Sequence, residues 1–231
     1  MPLAVLYADD DLIAVNKPNG LLVHKTSIAA DATEFALQLV RNQTGKHVYP
    51  VHRLDRATSG VLLFAFSPPV QAALNTAFEN RQIQKTYLAT VRGFTPQHGT
   101  INRPLNKDPQ SPRLEAITLY KRLDTIELPY QMGNYPYVRY SWVSIQPLTG
   151  RMHQIRRHFN FINHPVVGDL PHGDYRHNHL FRDVFNCPFL LLHAYDISFL
   201  HPITGSSLSI TAPLQEPLQN ICNRFGWELP A

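Results

Sequence analysis

The sequence predicts an α+β fold built on a mixed, largely antiparallel sheet flanked by helices and loops. Two observations lead there. Runs of β-branched and aromatic residues follow one another with four helix-periodic segments among them and no regular strand–helix–strand rhythm. Hydrophobic residues make up 44% of the chain and charged residues 16%, a balance that supports a core and rules out a disordered chain. With no composition shift, internal repeat or low-complexity tract, the 231 residues are expected to form one domain, 1–231.

Residues 3–7 and 11–16 are β-rich and separated by acidic turn residues, which reads as a hairpin. Lys17-Pro18-Asn19-Gly20 is a turn, and 21–24 a further short strand. Asp31 with Glu34 three residues on resembles a capping box, and Phe35 and Leu39 carry a helix to Gly45. Residues 48–52 and 61–66 read as strands entering and leaving a charged loop. Pro68-Pro69 opens a helix with Val70, Leu74, Ala77 and Phe78 on its apolar face, ending near Asn80. In the strand 83–93, Ile83, Lys85, Tyr87, Ala89 and Val91 share one face. Half-burial explains the apolar members; Lys85 and Tyr87 call for another reason.

Residues 95–113, rich in Pro, Asn and Gln, read as loop with a short strand near 100–103. Strands are expected at 115–122 and 138–146, with a loop insertion at 128–137. A helix is expected over 149–163, with Arg151, Ile155, Phe159 and Ile162 at helical spacing and Pro165 beyond it. Arg151 then sits in the first turn, where a cation opposes the helix dipole. Residues 189–201 and 206–211 read as paired strands. Leu214, Leu218, Ile221 and Phe225 mark a last amphipathic helix closed by Gly226.

A net charge of +4, a pI of about 9.1 and twelve histidines favour a polyanionic partner. Cys187 and Cys222 alone make no disulfide framework or CxxC zinc pair, which fits a reduced, cytoplasmic setting. Residues 1–7 lack a basic n-region and run into Asp9-Asp10-Asp11, so no signal peptide is expected. The apolar run Phe189 to Leu192 is far too short to span a bilayer, and no membrane association is expected.

Several signatures are absent. No two glycines are separated by one residue, so there is no GxGxxG fingerprint. Gly168 and Gly173 have Walker-like spacing, but Asp174 and Tyr175 follow where Lys and Ser or Thr are needed. HExxH and GxSxG do not occur. His172, His177 and His179 cluster without cysteines or a carboxylate array, which favours phosphate contact or simple exposure over metal. Neither metal nor cofactor is expected.

His52-Arg53-Leu54-Asp55-Arg56-Ala57-Thr58-Ser59-Gly60 places one carboxylate between two arginines ahead of a buried strand. On local chemistry alone this is a surface ion pair in a turn. An acid so placed suits a nucleophile or electrostatic stabiliser better than a proton donor at neutral pH. Other segments decide between these. Asn16 to His24 resembles NKPxGxxVH, His52 to Gly60 resembles HRLDxxTSG, Lys85-Thr86-Tyr87 resembles KxY, and Thr149 to Arg156 resembles TGRxHQIR. Pro165 to Asp169, Leu192-His193-Ala194 and Phe199 to Pro202 match closing motifs of the same family. In this order they resemble the RluA-like branch of the pseudouridine synthases, over nearly the whole chain.

The resemblance implies the pseudouridine-synthase catalytic fold, with an active-site cleft across the sheet. It also implies isomerisation of a uridine already inside RNA, without metal or cofactor. The N1–C1′ bond breaks, the uracil turns, and a C5–C1′ bond replaces it. By resemblance Asp55 is the nucleophile, Arg151 the basic partner that ion-pairs with it in the closed site, and Tyr87 the aromatic that stacks on the target base. Arg53 fills the gap left by the flipped base, whose extrusion costs a few kcal/mol. Substrate contacts are expected from Arg53, His52, Lys17, Lys85, His153, Gln154, Arg156 and Leu192. Lys25, Arg157 and His158 extend this set into a basic cleft for the RNA backbone.

The chain starts at the catalytic segment, so no S4-type RNA-binding domain is expected in front of it. Where the family has GDxxYG, this chain has Gly168-Asp169-Leu170-Pro171-His172-Gly173, with histidine for tyrosine. Gly173-Asp174, Arg176-His177-Asn178, Arg156-Arg157-His158, the 133–140 insertion and the ending Phe225-Gly226-Trp227 resemble a narrower group that modifies uridine 65 of tRNA. A monomer acting on tRNA without a protein partner is expected. The catalytic motifs do not separate this from the same chemistry on ribosomal RNA or another tRNA position. A reading of another class is an RNA-binding or RNA-folding protein with dispensable isomerase activity; the intact Asp55, Tyr87 and Arg151 set speaks against it.

Overall fold

Residues 2–24, 34–108 and 110–230 are described in the computed structural model. In chain order they form β1 (Ala4–Ala8), β2 (Leu12–Lys17), α1 (Ala36–Thr44), β3 (Tyr49–Pro50), β4 (Ser59–Ala65) and α2 (Pro68–Glu79). Then come β5 (Gln84–Arg92), β6 (His98–Asn102), β7 (Ile117–Leu128), β8 (Val138–Pro147) and α3 (Gln154–Phe161). The last elements are α4 (Tyr175–Val184), β9 (Leu192–Leu200), β10 (Ser207–Thr211) and α5 (Glu216–Phe225). The class is α+β, as expected. Two units divide the chain: Met1–Lys85 with Ala194–Gln215, and Thr86–His193 with Glu216–Ala231. Among the described residues no helix is long and apolar enough to cross a membrane.

In the first unit the strands run in the order β1-β2-β4-β9, with β3 beside β4 and β10 beside β9. Every residue of β4 is buried, which is why the run 61–66 reads as continuously apolar rather than alternating. The register of β2 on β4 runs from Leu12↔Ala65 to Lys17↔Gly60, so the end of β2 meets the chain just after the charged loop. Gly60 has φ +110°, and a Cβ there would overlap the Ala194 carbonyl; only glycine permits this approach. Val70 and Leu74 of α2 pack into a core with Leu12, Ala14, Leu63 and Ala65.

Helix α1 starts later than expected. Its N-cap is Phe35, without a side-chain cap, and Glu34 precedes the helix. Asp31 and Lys25 lie outside the described residues. Gly45 ends the helix at φ +66°, its N–H donating to the Arg41 carbonyl. Instead of a strand at 21–24 there is a single bridge from Leu22 to Phe35.

In the second unit the order is β5-β8-β7-β6, each pairing antiparallel. Strand β7 runs on to Leu128 past a bulge between Arg122 and Asp124, taking residues beyond the expected end. Helix α3 is shorter than expected, for reasons given with the site. Helix α4 was not expected; Asp174 caps it, accepting from the N–H groups of Arg176 and His177. Its apolar contact is Phe181, edge-on to Tyr140 at 4.9 Å. Trp142 stacks on Trp227 at 5.6 Å and donates from Nε1 to the Glu228 carbonyl, tying in the chain after α5.

Candidate active site

Asp55 sits on the loop between β3 and β4 in the first unit. Exposure alternates along that loop: Arg53 is exposed, Leu54 buried, Asp55 half-buried, Arg56 exposed and Thr58 buried. A loop pinned at Leu54 and Thr58 thus leaves the acid half-buried between them. The Thr58 N–H donates to the Asp55 carbonyl at 3.0 Å, closing a turn at the acid itself. The next peptide is tied to the turn at 17–20: the Gly20 N–H donates to the Arg56 carbonyl, and Arg56 Nε donates back to the Gly20 carbonyl.

Lys17 locks this assembly from behind. Its side chain is wholly buried, and Nζ donates to the carbonyls of Pro18, Leu21 and Arg56 at 2.9, 2.8 and 3.2 Å. Burial pulls its pKa down to about 7, and the Asp55 carboxylate opposes the fall. Three carbonyls call for three N–H donors, which only the ammonium form supplies, so the hydrogen bonds favour the charged state.

His52 and Lys85 flank Phe78. The His52 ring stacks on it at 5.2 Å, and Lys85 Nζ lies 5.8 Å from the ring centroid. His52 Nε2 accepts from the Leu63 N–H at 3.0 Å, so that nitrogen carries no proton. Burial, and then the nearby Lys85 ammonium, push the His52 pKa down to about 3. Burial also lowers that of Lys85.

In the second unit, Tyr87 stands half-buried on β5, and Arg151 lies exposed in the segment before α3. Gln154 organises that segment. Its Oε1 accepts from the Thr149 hydroxyl at 2.7 Å and from the Arg151 N–H at 3.1 Å. Its Nε2 donates to the Ile117 carbonyl and to Thr118 Oγ1, both at 3.0 Å. Arg151 Nε donates to the Glu115 carbonyl, which braces the guanidinium. His153 is left-handed at φ +52°, a conformation a non-glycine residue adopts at a cost. The helix therefore begins only at Gln154, and Arg151 is not a first-turn charge.

The structure corrects several expected RNA contacts. Lys17, Gln154 and Arg156 are buried and bonded to protein groups, so they support the site from within. Arg156 grips Asp169 with two bonds at 2.7 and 2.8 Å. His158, expected in the basic cleft, is wholly buried between Thr118 Oγ1 and the Arg103 carbonyl, and burial lowers its pKa. Leu192 is buried at the first residue of β9. His52 is half-buried with Nε2 already used, whereas Arg53, Arg151 and in part Lys85 and His153 keep exposed surface.

Thr149, Thr118 and Asp169 were missed as supporting partners; only the Thr149 to Gln154 spacing signalled one of them. The three clustered histidines go separate ways. His172 Nε2 meets His153 Nδ1 at 2.9 Å, His177 Nδ1 meets the Tyr140 hydroxyl at 2.8 Å, and His179 Nδ1 meets the Tyr175 carbonyl at 2.8 Å.

Comparison with known proteins bears directly on this arrangement. A family model described as RNA pseudouridylate synthase matches residues 11–161. The chain belongs to the RNA pseudouridylate synthase family. The matched residues contain Asp55, Tyr87 and Arg151; Leu192 lies beyond them. The chain is 43% identical over 236 residues to tRNA pseudouridine synthase C of Pectobacterium carotovorum subsp. carotovorum, covering 98% of this chain but 63% of that protein, less than two thirds of its length. Identity to tRNA pseudouridine synthase C of Yersinia pestis is also 43%, covering 97% of this chain and 91% of that one. The relative of that name in Haemophilus influenzae is 43% identical, with 98% and 99% covered. Among solved structures, human RNA Pseudouridylate Synthase Domain Containing 4 superposes with a TM-score of 0.75 at 22% identity, covering 99% of this chain and 95% of that one. That likeness establishes the pseudouridylate synthase fold.

Proposed function

We propose that this chain isomerises a uridine of tRNA, at position 65, to pseudouridine, with Asp55 as the nucleophile. The observation that carries the reading is the Asp55 loop: a half-buried acid on a backbone fixed by the Lys17 ammonium. Such rigidity suits a nucleophile that must meet C1′ at a defined distance.

In the proposed reaction an Asp55 oxygen bonds to C1′ as the N1–C1′ bond breaks, and uracil keeps the electron pair. The base turns, C5 attacks C1′, and the carboxylate leaves. C5 then gives up its proton and N1 gains one, so composition is unchanged. Tyr87 stacks on the base, Arg53 occupies the space it vacates, and Arg151 offers its braced guanidinium to the anionic groups of the reaction.

Choice of tRNA is supported by the names of the Yersinia and Haemophilus relatives, which align over nearly their whole length. Position 65 rests on the subgroup residues Gly173-Asp174 and Arg176-His177-Asn178. We also infer a cytoplasmic monomer, a setting compatible with two free, buried cysteines, Cys187 and Cys222.

Tritium release from tRNA labelled at uridine C5 tests the reading, because isomerisation frees that hydrogen. Wild type should release it, and Asp55→Ala should bind tRNA and release none. Equal release by both proteins removes Asp55 from the chemistry. Release from ribosomal RNA alone keeps the chemistry and overturns the substrate.

A further inference from the structure

The second unit contains a pocket of about 210 Å³ whose walls include Arg103, Arg113, Arg157, Asn106, Phe161 and His172. Three arginines line it, and among the described residues no Asp or Glu does. Two acids of the neighbouring segments, Asp108 and Asp169, have partners of their own. Asp108 turns its oxygens onto the Gln110 and Ser111 N–H groups and the Ser111 hydroxyl. Asp169 is held by Arg156. Cations gathered in one pocket repel one another, and an anion from outside would relieve that repulsion.

Two of the three arginines are already positioned. Arg157 donates to the Asn106 carbonyl at 2.7 Å and to its Oδ1 at 2.8 Å. The Arg103 guanidinium lies 3.6 Å from the centroid of Phe161, a ring that is 52% exposed. The Arg103 carbonyl is held in turn by His158. Half-buried arginines fixed by neighbours lose little freedom on binding, and their planar forks match phosphate oxygens.

We propose that this pocket binds a backbone phosphate of the RNA substrate, through residues other than Asp55, Tyr87 and Arg151. It deepens the reading above and rests on it, since an RNA substrate supplies the phosphate. The site adds affinity and register without entering the chemistry. Of its three arginines, Arg157 was expected in a basic cleft for the RNA backbone, and Arg103 and Arg113 were not.

The test is the double substitution Arg103→Gln/Arg113→Gln in the full chain, with Arg182→Gln, an arginine paired to its neighbour Asp183, as control. Binding of tRNA is measured from 50 to 200 mM salt, beside tritium release. Each lost phosphate contact should flatten the slope of log K against log salt by about 1. Both substitutions empty one phosphate site, so the double variant should lose about 1 from the slope, with KM raised about tenfold and kcat at saturating tRNA unchanged. The control should match wild type. An unchanged slope in the double variant, while wild type releases tritium, overturns the pocket and leaves the function standing. A flattened slope with no tritium release by wild type overturns the function and keeps the pocket. Saturable binding of inorganic phosphate, lost in the double variant while the tRNA slope stays unchanged, would assign the pocket to a free anion instead of RNA.

Discussion

Replacing Lys17 with methionine tests how the Asp55 loop is held. Nζ donates to the carbonyls of Pro18, Leu21 and Arg56 from a fully buried position. The Arg56 carbonyl keeps a second donor, the Gly20 N–H, so methionine orphans two acceptors and not three. A buried acceptor without a donor costs about 1–3 kcal/mol. Relief from burying an ammonium offsets part of the sum, leaving an expected loss of about 2–4 kcal/mol. A nucleophile displaced by about 1 Å costs on the order of 10²-fold in rate. Urea denaturation reads the first effect, and single-turnover tritium release the second. Lys17→Arg should not rescue either, because a planar fork cannot aim N–H groups at three carbonyls converging on one atom. A methionine variant with the midpoint and rate of wild type would refute the account of the loop.

Three further outcomes are expected. Arg156→Ala strands the Asp169 carboxylate in the interior and should cost about 3–5 kcal/mol by urea denaturation, with part of the loss recovered in Arg156→Met/Asp169→Leu. Tyr87→Phe should bind tRNA as wild type does, while Tyr87→Ala loses about 1–3 kcal/mol of binding; equal affinity for both variants would remove base stacking from the proposal. His52 stays neutral in the fold, with its pKa lowered to about 3 from an ordinary 6.5, so between those values the unfolded chain binds a proton that the fold does not. Stability should therefore fall as the pH drops, by about 2 kcal/mol between pH 6.5 and 5, and His52→Gln should remove that part of the loss in urea midpoints taken across the range.

Much of the fold is legible because local patterns and burial agree. The prolines at the start of α2, with Val70 and Leu74 inward, and the wholly buried β4 follow from the sequence with little error. Helix α4 is masked in the sequence because His177 and His179 group with His172 as a histidine cluster, while its own signal is Asp174 ahead of Arg176 and His177. The start of α3 was misplaced for a non-local reason. Gln154 looks like an ordinary helix residue until Ile117 and Thr118, well over thirty positions away, are seen to hold its amide.

The same non-locality governs the site. Polar motif residues read as RNA contacts because polar side chains are usually exposed, yet Lys17, Gln154 and Arg156 are buried against partners that no spacing rule supplies. A cation count over the motifs therefore overstates what the RNA meets. Lys17 and Arg156 are shielded from solvent and release no counter-ions, so they should leave the salt slope of tRNA binding unchanged while setting stability. Arg53, Arg151 and Arg113, all exposed, are among the cations that can contribute to it. The fixed cation at Lys17 needs a different justification, since an apolar side chain would fill its space at lower desolvation cost. What a neutral residue cannot supply is a positive charge acting on Asp55 from within the protein, present before any RNA arrives. The charge behind the loop is thus best understood as part of how the carboxylate is prepared, and the exposed arginines as part of how the RNA is held.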